Sequence, residues 1–184
     1  MLLLATLALL AACVASPVPT VDVAAIQAAA GEEAMTAMNQ KEAANIAVVQ
    51  RFYDEFAADH PEVILEVHPE TLKMHYAGTV EDVPTQVLYE DLAAIKAGIP
   101  DLHAEIHSMA AAGDYVFTEL TWAGTHTGDL FGIPATGKPI VHNGILVRRL
   151  ADGKIVESWE IWDDLTLLNG LGLVPSWDEL TAGQ

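Results

Sequence analysis

The sequence predicts an α+β domain, and two observations support this prediction. In the first half of the chain apolar residues recur at helical spacing, whereas after Pro100 they recur at every second position. Chains that place helices first and hairpin-linked strands afterwards pack the helices on one face of an antiparallel sheet. We therefore expect a strongly curved antiparallel sheet wrapped around the N-terminal helices, with an apolar pocket between the two layers.

The helical half contains three predicted helices. The first covers residues 40–58, and its apolar face is formed by Ile46, Val49, Phe52, Tyr53 and Phe56. A short second helix begins near Pro61, because proline suits the first helical turn, and it ends before Pro69. Residues 72–76 are short and extended. The third helix covers residues 85–97 and is followed by glycine and proline stop signals.

The second half of the chain contains the predicted strands. Apolar alternation marks strands at residues 102–106, 114–126, 140–150 and 154–163. One face of the second of these carries Val116, Thr118, Leu120 and Trp122. Asp152-Gly153 is a strong hairpin signal between the last two strands. A short C-terminal helix is expected at residues 165–171.

The charge and the cysteine content exclude several classes of protein. Acidic residues outnumber basic ones 26 to 8, which gives a formal net charge of −18. Such a chain repels phosphate backbones, so we expect no nucleic-acid partner. A single cysteine excludes an intrachain disulfide framework. The histidine spacings fit no compact ligand motif, so no metal site is expected.

The N-terminus has the features of an export signal. Residues 1–12 are almost wholly apolar and end in Leu10-Ala11-Ala12-Cys13, which looks like a bacterial lipobox, although no Lys or Arg precedes the run. We expect residues 1–13 to be a signal peptide and Cys13 to be lipidated. The alternatives are an ordinary cleaved signal or an artefactual N-terminus. The chain would then be an exported lipoprotein on the periplasmic or cell-surface side, touching the membrane only through its lipid.

The expected organisation of the chain has four parts. The signal peptide at residues 1–13 is followed by a linker or spacer at residues 14–44. The globular domain covers residues 45–175, and residues 176–184 form a C-terminal tail.

Four ordered segments of the domain resemble a known family. Residues 125–138 read Thr-His-Thr-Gly-Asp-Leu-Phe-Gly-Ile-Pro-Ala-Thr-Gly-Lys, and residues 152–163 read Asp-Gly-Lys-Ile-Val-Glu-Ser-Trp-Glu-Ile-Trp-Asp. Together with residues 45–56 and 99–102, they are similar to the SnoaL-like polyketide (ester) cyclases of the NTF2-like superfamily. The resemblance implies a cone-shaped α+β barrel, often dimeric through its sheet. It also implies an intramolecular aldol ring closure by one carboxylate, without metal or cofactor.

The resemblance places the catalytic carboxylate near the end of the last strand, where Asp163 is the first candidate and Glu160 its competitor. Asp163 shares a strand face with Trp159, and an apolar setting raises the pKa of a carboxylate toward the range useful for proton abstraction. The alternative is that Asp163 caps the C-terminal helix. In a regular strand Glu160 points to the other face, and a bulge would change that. His75 would help by holding a substrate oxygen.

The remaining candidates concern the pocket walls. Tyr53, Trp122, Trp159 and Trp162 are core aromatics, some of which would line the cavity. His126 would lie at the rim or fix its loop, and His142 would begin a strand beside the pocket. Position 146, polar in some relatives, is Leu146 here, which counts against aldol chemistry.

Three functions follow from this pattern. The first is a cofactor-independent cyclase or isomerase that acts on a small apolar carbonyl compound. The second is an exported, non-catalytic protein with the same fold that binds a small apolar ligand or serves as an accessory protein. The third is an enzyme like the epoxide hydrolases of the superfamily, which activate water with an Asp-Arg-Asp set. It would need Arg148 or Arg149 beside Asp163, together with a second acidic residue.

Overall fold

The computed structural model describes residues 22–175 and residue 181. Its elements, in chain order, are α1 (Val23–Ala57), α2 (Val63–Val67), β1 (Thr71–Tyr76), β2 (Thr79–Pro84), α3 (Thr85–Gly98), β3 (His103–Ala112), β4 (Tyr115–Thr125), β5 (Pro139–Ala151), β6 (Lys154–Trp162) and α4 (Asp164–Leu171). The predicted α+β class, with helices preceding a curved sheet, is confirmed. Cys13, the predicted signal peptide and the predicted tail, apart from residue 181, lie outside the described residues.

Helix α1 begins well before the predicted residue 40. Residues 24–41 are exposed along their whole length, and the regular burial of an amphipathic face starts only at Asn45. The early start follows from the alanine-rich composition, since alanine is the strongest helix former and needs no packing partner. Residues 1–36 and 37–184 form two units. In the first unit, residues 23–36 are helical and residues 24–36 are exposed. None of the described helices is long and apolar enough to cross a membrane.

The sheet has six strands in the order β2-β1-β6-β5-β4-β3. Neighbouring strands are antiparallel except β1 and β6, which run parallel, so the sheet is mixed where a purely antiparallel one was expected. The sequence did not predict strand β2. Nearly all residues of this strand are exposed, so its sequence lacks an alternation of apolar and polar residues. Residues 71–84 form a hairpin at the edge of the sheet.

The core lies between the helices and the inner face of the sheet. Its best-buried members are Val49, Tyr53, Phe56, Ile64, Leu72, Val116, Leu120, Leu146, Leu150 and Ile155. On β4 the predicted alternation is confirmed, because Val116, Thr118 and Leu120 are buried whereas Tyr115, Phe117 and Glu119 are exposed. The inner face of the sheet therefore supplies one wall of any internal cavity.

The loop between β4 and β5 is fixed to the end of α3. The amides of Thr127 and Gly128 both donate to the Gly98 carbonyl, at 3.0 and 2.9 Å. A Cβ atom added to Gly128 would lie 2.4 Å from the Ala97 carbonyl oxygen, so only glycine permits this approach. The glycine in the Thr-His-Thr-Gly motif is thus explained by close packing of two backbone segments.

Candidate functional site

A cavity of about 70 Å³ lies between the helices and the inner face of the sheet; we call it the interior cavity. Its apolar walls come from Phe52, Leu72, Met74, Leu88, Leu92, Trp122 and Leu146. Its polar lining comes from His68, Arg148, Ser158, Glu160 and Trp162. Glu160 is the only carboxylate among the described residues that line this cavity.

The orientation of β6 differs from the predicted one. Residues 157–162 alternate as expected, but Ser158, Glu160 and Trp162 line the interior cavity, and Ile161 is 72% exposed. The cause is a bulge: Arg149 pairs with Glu157, whereas its neighbour Leu150 pairs with Ile155, so β6 carries one extra residue. An extra residue moves the rest of a strand to the opposite face.

Glu160 is held by its own strand. Its carboxylate accepts hydrogen bonds from Ser158 Oγ at 2.8 Å and from Trp162 Nε1 at 3.0 Å. Two donors on two oxygens fix the orientation of the carboxylate and leave lone pairs free on both. The group is therefore positioned to exchange a proton with a molecule in the interior cavity.

Arg148 brings a positive charge to the same cavity and is only 6% exposed. Its Nη1 donates to Tyr53 Oη at 2.6 Å, and its guanidinium lies 4.9 Å from the ring centres of both Phe52 and Tyr53. Burial raises the pKa of Tyr53, and the neighbouring Arg148 charge opposes that shift. Tyr53 therefore stays a neutral phenol that orients Arg148 from behind the cavity wall.

His68 is a cavity residue that the sequence did not single out. It is 3% exposed, and its Nδ1 lies 2.8 Å from the Ile64 carbonyl oxygen, which only an N–H can satisfy. Burial lowers its pKa to about 4, so the ring is neutral at pH 7 and carries its lone pair on Nε2. The one available signal was its position four residues after Ile64, at the end of α2.

Asp163 is the N-cap of α4. Its Oδ1 accepts a hydrogen bond from the Thr166 amide at 3.1 Å, and hydrogen bonds from Thr166 lower the pKa of its carboxyl. Asp163 lines neither the interior cavity nor the neighbouring notch described below. The arrangement is that of the capping alternative, and the hydrogen bonds of the two arginines go elsewhere, from Arg148 to Tyr53 and from Arg149 to Glu157.

His75 and Trp159 lie on the outer face of the sheet, away from the interior cavity. Their rings stack with centres 4.6 Å apart, and His75 Nε2 lies 2.9 Å from Glu157 Oε1. Glu157 also accepts from Arg149 Nε at 2.9 Å, and the hydrogen bond from His75, followed by that from Arg149, lowers its pKa. The predicted partnership of His75 with a pocket carboxylate is therefore replaced by a pairing with Glu157.

A second space of about 380 Å³ opens beside the end of β6; we call it the notch. It lies between the turn of the β1–β2 hairpin and the start of α4, and its lining includes His75, Tyr76, Val80, Trp159, Ile161 and Asp164. Glu160 and Trp162 line the notch as well as the interior cavity. These two residues are therefore shared by the two spaces and lie at the boundary between them.

His142 stands at this boundary. Its ring stacks on Trp162 with centres 4.8 Å apart, and its Nε2 lies 3.0 Å from Asp164 Oδ1. Tyr76 donates to Asp164 Oδ2 at 2.9 Å, and burial, together with this hydrogen bond, raises the pKa of Tyr76. Asp164, which the sequence did not indicate, thus ties β1 and β5 together beside the notch.

The other predicted pocket residues divide between wall and scaffold. Trp122 lines the interior cavity and packs edge-on against Tyr53 and Phe56. His126 is fully buried, and its Nδ1 lies 3.0 Å from Thr136 Oγ1, which fixes the loop between β4 and β5. No group of three or more His, Cys, Asp or Glu residues within residues 22–175 is arranged to hold a metal ion.

Comparison with known proteins gives a family assignment. The family model for SnoaL-like polyketide cyclases matches residues 47–171. The comparison with curated proteins found no match.

Among solved structures, IdmH from Streptomyces antibioticus, a proposed polyketide cyclase, is 26% identical over 70% of this chain and 98% of its own, with a TM-score of 0.59. A proposed SnoaL-like polyketide cyclase from Jannaschia sp. CCS1 is 20% identical over 73% of this chain and 96% of its own, with a TM-score of 0.64. An LEH-like epoxide hydrolase from M. tuberculosis is 16% identical over 77% of this chain and 95% of its own, with a TM-score of 0.56. The two more distant structures support the fold alone. Because the family model covers most of the chain, this protein belongs to the SnoaL-like polyketide cyclase family.

Proposed function

We propose that this protein catalyses a cofactor-independent proton transfer on a small apolar carbonyl compound, with Glu160 as the general acid and base. The observation that carries the proposal is the position of Glu160 as the one carboxylate on the interior cavity within the described chain. It shares that cavity with the buried guanidinium of Arg148 and with apolar walls. A cyclase or an isomerase would need this combination.

The chemistry follows from these groups. Glu160 removes a proton from the carbon next to the carbonyl group, so that the C–H electron pair forms an enolate and the carboxylate becomes a carboxylic acid. The positive charge of Arg148 favours the negative charge that develops on the carbonyl oxygen. The acid then returns its proton to carbon or oxygen, and no metal or cofactor takes part. The family resemblance supports a ring closure as the overall reaction, with an aldol bond formed by the enolate.

Hydrogen–deuterium exchange tests this proposal without knowledge of the natural substrate. The rate at which cyclopentanone exchanges its α-hydrogens in D₂O is followed by NMR, with and without the protein. We expect the protein to accelerate the exchange and Glu160→Gln to abolish that acceleration while the fold is kept.

Asp163→Asn distinguishes the two carboxylates that the sequence offered. It should keep the exchange activity and most of the thermal stability, because the side-chain oxygen of Asn can still accept the hydrogen bond that caps α4. If Asp163→Asn abolishes exchange and Glu160→Gln does not, the assignment to Glu160 is wrong. A wild-type protein that leaves the exchange at the buffer rate refutes the catalytic proposal.

The second candidate is an exported protein that binds a small apolar ligand without turnover. It is favoured by Leu146, an apolar side chain that faces the cavity from the position paired with Glu160 on β5. Saturable binding of cyclopentanone with no exchange would support it. The epoxide-hydrolase hypothesis has less support, because that chemistry needs a second acidic group beside Glu160, and no other acidic residue of the described chain lines the interior cavity.

A further proposal concerns the location of the protein in the cell. We propose that Cys13 is lipidated and that the chain is an exported, membrane-anchored lipoprotein. Labelling of cells with radioactive palmitate should mark the wild-type protein and not Cys13→Ser. Equal labelling of both would refute the anchor.

We also propose a homodimer formed through the outer face of the sheet. Its support is a set of exposed apolar side chains on β4, β5 and β6, namely Phe117, Val141, Ile145 and Ile161. Sedimentation equilibrium should give twice the monomer mass for the wild type and the monomer mass for Ile145→Glu. A monomeric wild type would exclude the dimer.

A further inference from the structure

We propose that Trp162 is a movable wall between the interior cavity and the notch, and that the two spaces form one substrate site when its indole swings aside. This inference rests on the proposed function only for the chemistry at Glu160. It makes Trp162 the residue that decides which substrates fit.

The sizes of the two spaces favour such a movement. The interior cavity measures about 70 Å³. Pockets for small-molecule ligands typically measure about 300–1,000 Å³. The notch, at about 380 Å³, reaches that range but is open to solvent. A ring-sized carbonyl compound is too large for the interior cavity alone, whereas the two spaces joined would hold it beside Glu160.

Few directional contacts hold the indole of Trp162. Its one hydrogen bond is the donation from Nε1 to Glu160 Oε2 at 3.0 Å, its ring stacks on His142, and its remaining contacts are apolar packing against the core and over Gly144. Trp162 is the last residue of β6, and the pairing of β6 with β1 has already ended at Glu160. The backbone of Trp162 is therefore bound to a neighbouring strand on one side only.

Gly144 leaves the space into which the indole of Trp162 packs. Gly144 lies opposite Trp162 on β5, and a Cβ atom added to it would lie 2.3 Å from two carbon atoms of the indole ring. No pair of carbon atoms can approach so closely, so the closed position exists only because residue 144 has no side chain. A single methyl group at this position should push the indole out of the wall.

The combined site selects a class of substrate. Its inner end offers Glu160 and Arg148 to a carbonyl group, and its outer end offers the apolar side chains of Val80 and Ile161. The charged carboxylates that line the notch are Glu160 and Asp164, and no Lys or Arg is among its lining residues. The site therefore fits an elongated apolar carbonyl compound whose outer end is neutral or cationic and not a carboxylate or phosphate.

Thiol labelling measures the opening of the wall directly. A reporter thiol is introduced with Ser158→Cys, at a cavity residue that is 1% exposed, in a Cys13→Ser background that leaves no other thiol. The rate of modification by methyl methanethiosulfonate is followed by mass spectrometry. We expect Gly144→Ala to raise this rate at least tenfold. The matched control, Gly170→Ala, should leave it unchanged, because nothing lies within 4 Å of a Cβ atom there.

A second reporter separates the opening of the wall from general unfolding. Val116→Cys places a thiol in the fully buried core, away from both spaces, where Gly144→Ala should not accelerate labelling. Leu146→Cys repeats the cavity measurement if Ser158→Cys folds poorly. Equal labelling rates in the two glycine variants, or the same acceleration at Val116→Cys, would overturn the proposal. These rates do not involve catalysis, so a failure of the cyclopentanone exchange would leave the labelling test of the wall intact.

Discussion

Acidification between pH 7 and pH 5 should weaken the folded state through His68. Burial lowers the pKa of this histidine from 6.5 to about 4 in the folded protein, whereas the unfolded chain keeps the ordinary value. Between these two values the unfolded state binds a proton that the folded state does not, so stability falls as the pH falls. The linkage relation gives a loss of about 2 kcal/mol on going from pH 7 to pH 5. Below pH 4 both states are protonated and the total loss levels off at about 3 kcal/mol.

The variant His68→Asn isolates this contribution. Its side-chain amide can still donate to the Ile64 carbonyl oxygen, but it does not titrate. Urea denaturation at both pH values gives the free energy of unfolding of each protein. We expect the wild type to lose about 2 kcal/mol more than His68→Asn on acidification, since the carboxylates titrate in both. Equal losses in the two proteins would mean that His68 is not buried as a neutral ring.

Two further variants test contacts around the site. Asp163→Ala should lower the free energy of unfolding by about 0.5–2 kcal/mol, measured by guanidinium denaturation, because the N-cap of α4 is lost; an unchanged value would contradict the cap. Tyr53→Phe should cost about 1.5–3 kcal/mol, because the buried Arg148 loses a hydrogen-bond acceptor. The same substitution in an Arg148→Met background should cost clearly less, and an equal cost in both backgrounds would show that the two side chains are not coupled.

The sequence predicted those elements of the fold whose apolar residues follow a regular period. The face of α1 that carries Phe52 and Phe56 and the alternation on β4 are clear in the sequence because burial selects their residues. Strand β2 and the exposed start of α1 are not buried against the core. Their residues are therefore free of that selection, and no apolar period marks them.

The sequence predicted which strand carries the acidic residue of the candidate site, but not which face of that strand points into the interior cavity. The alternation along β6 correctly placed Glu160 and Trp162 on one face of the strand and Trp159 on the other. It did not show which of the two faces points into the interior cavity. Counting in steps of two from the buried Ile155 leads to Glu157 and Trp159, which is the outer set. The extra residue at the bulge of β6 reverses that count, and a bulge depends on pairing with β5 that a single strand does not reveal.

One feature of the sequence does indicate the correct face once the pairing is known. Glycine weakens a strand interior, so its presence there indicates that another group approaches the backbone closely. Gly144 lies on the inner face of β5, between the buried Leu146 and the half-buried His142, and its partner on β6 is Trp162. The indole must then cover Gly144 from the inside, and Glu160, two residues earlier, must point to the same side. The absence of a side chain at Gly144 therefore indicates that both Trp162 and Glu160 face the interior cavity.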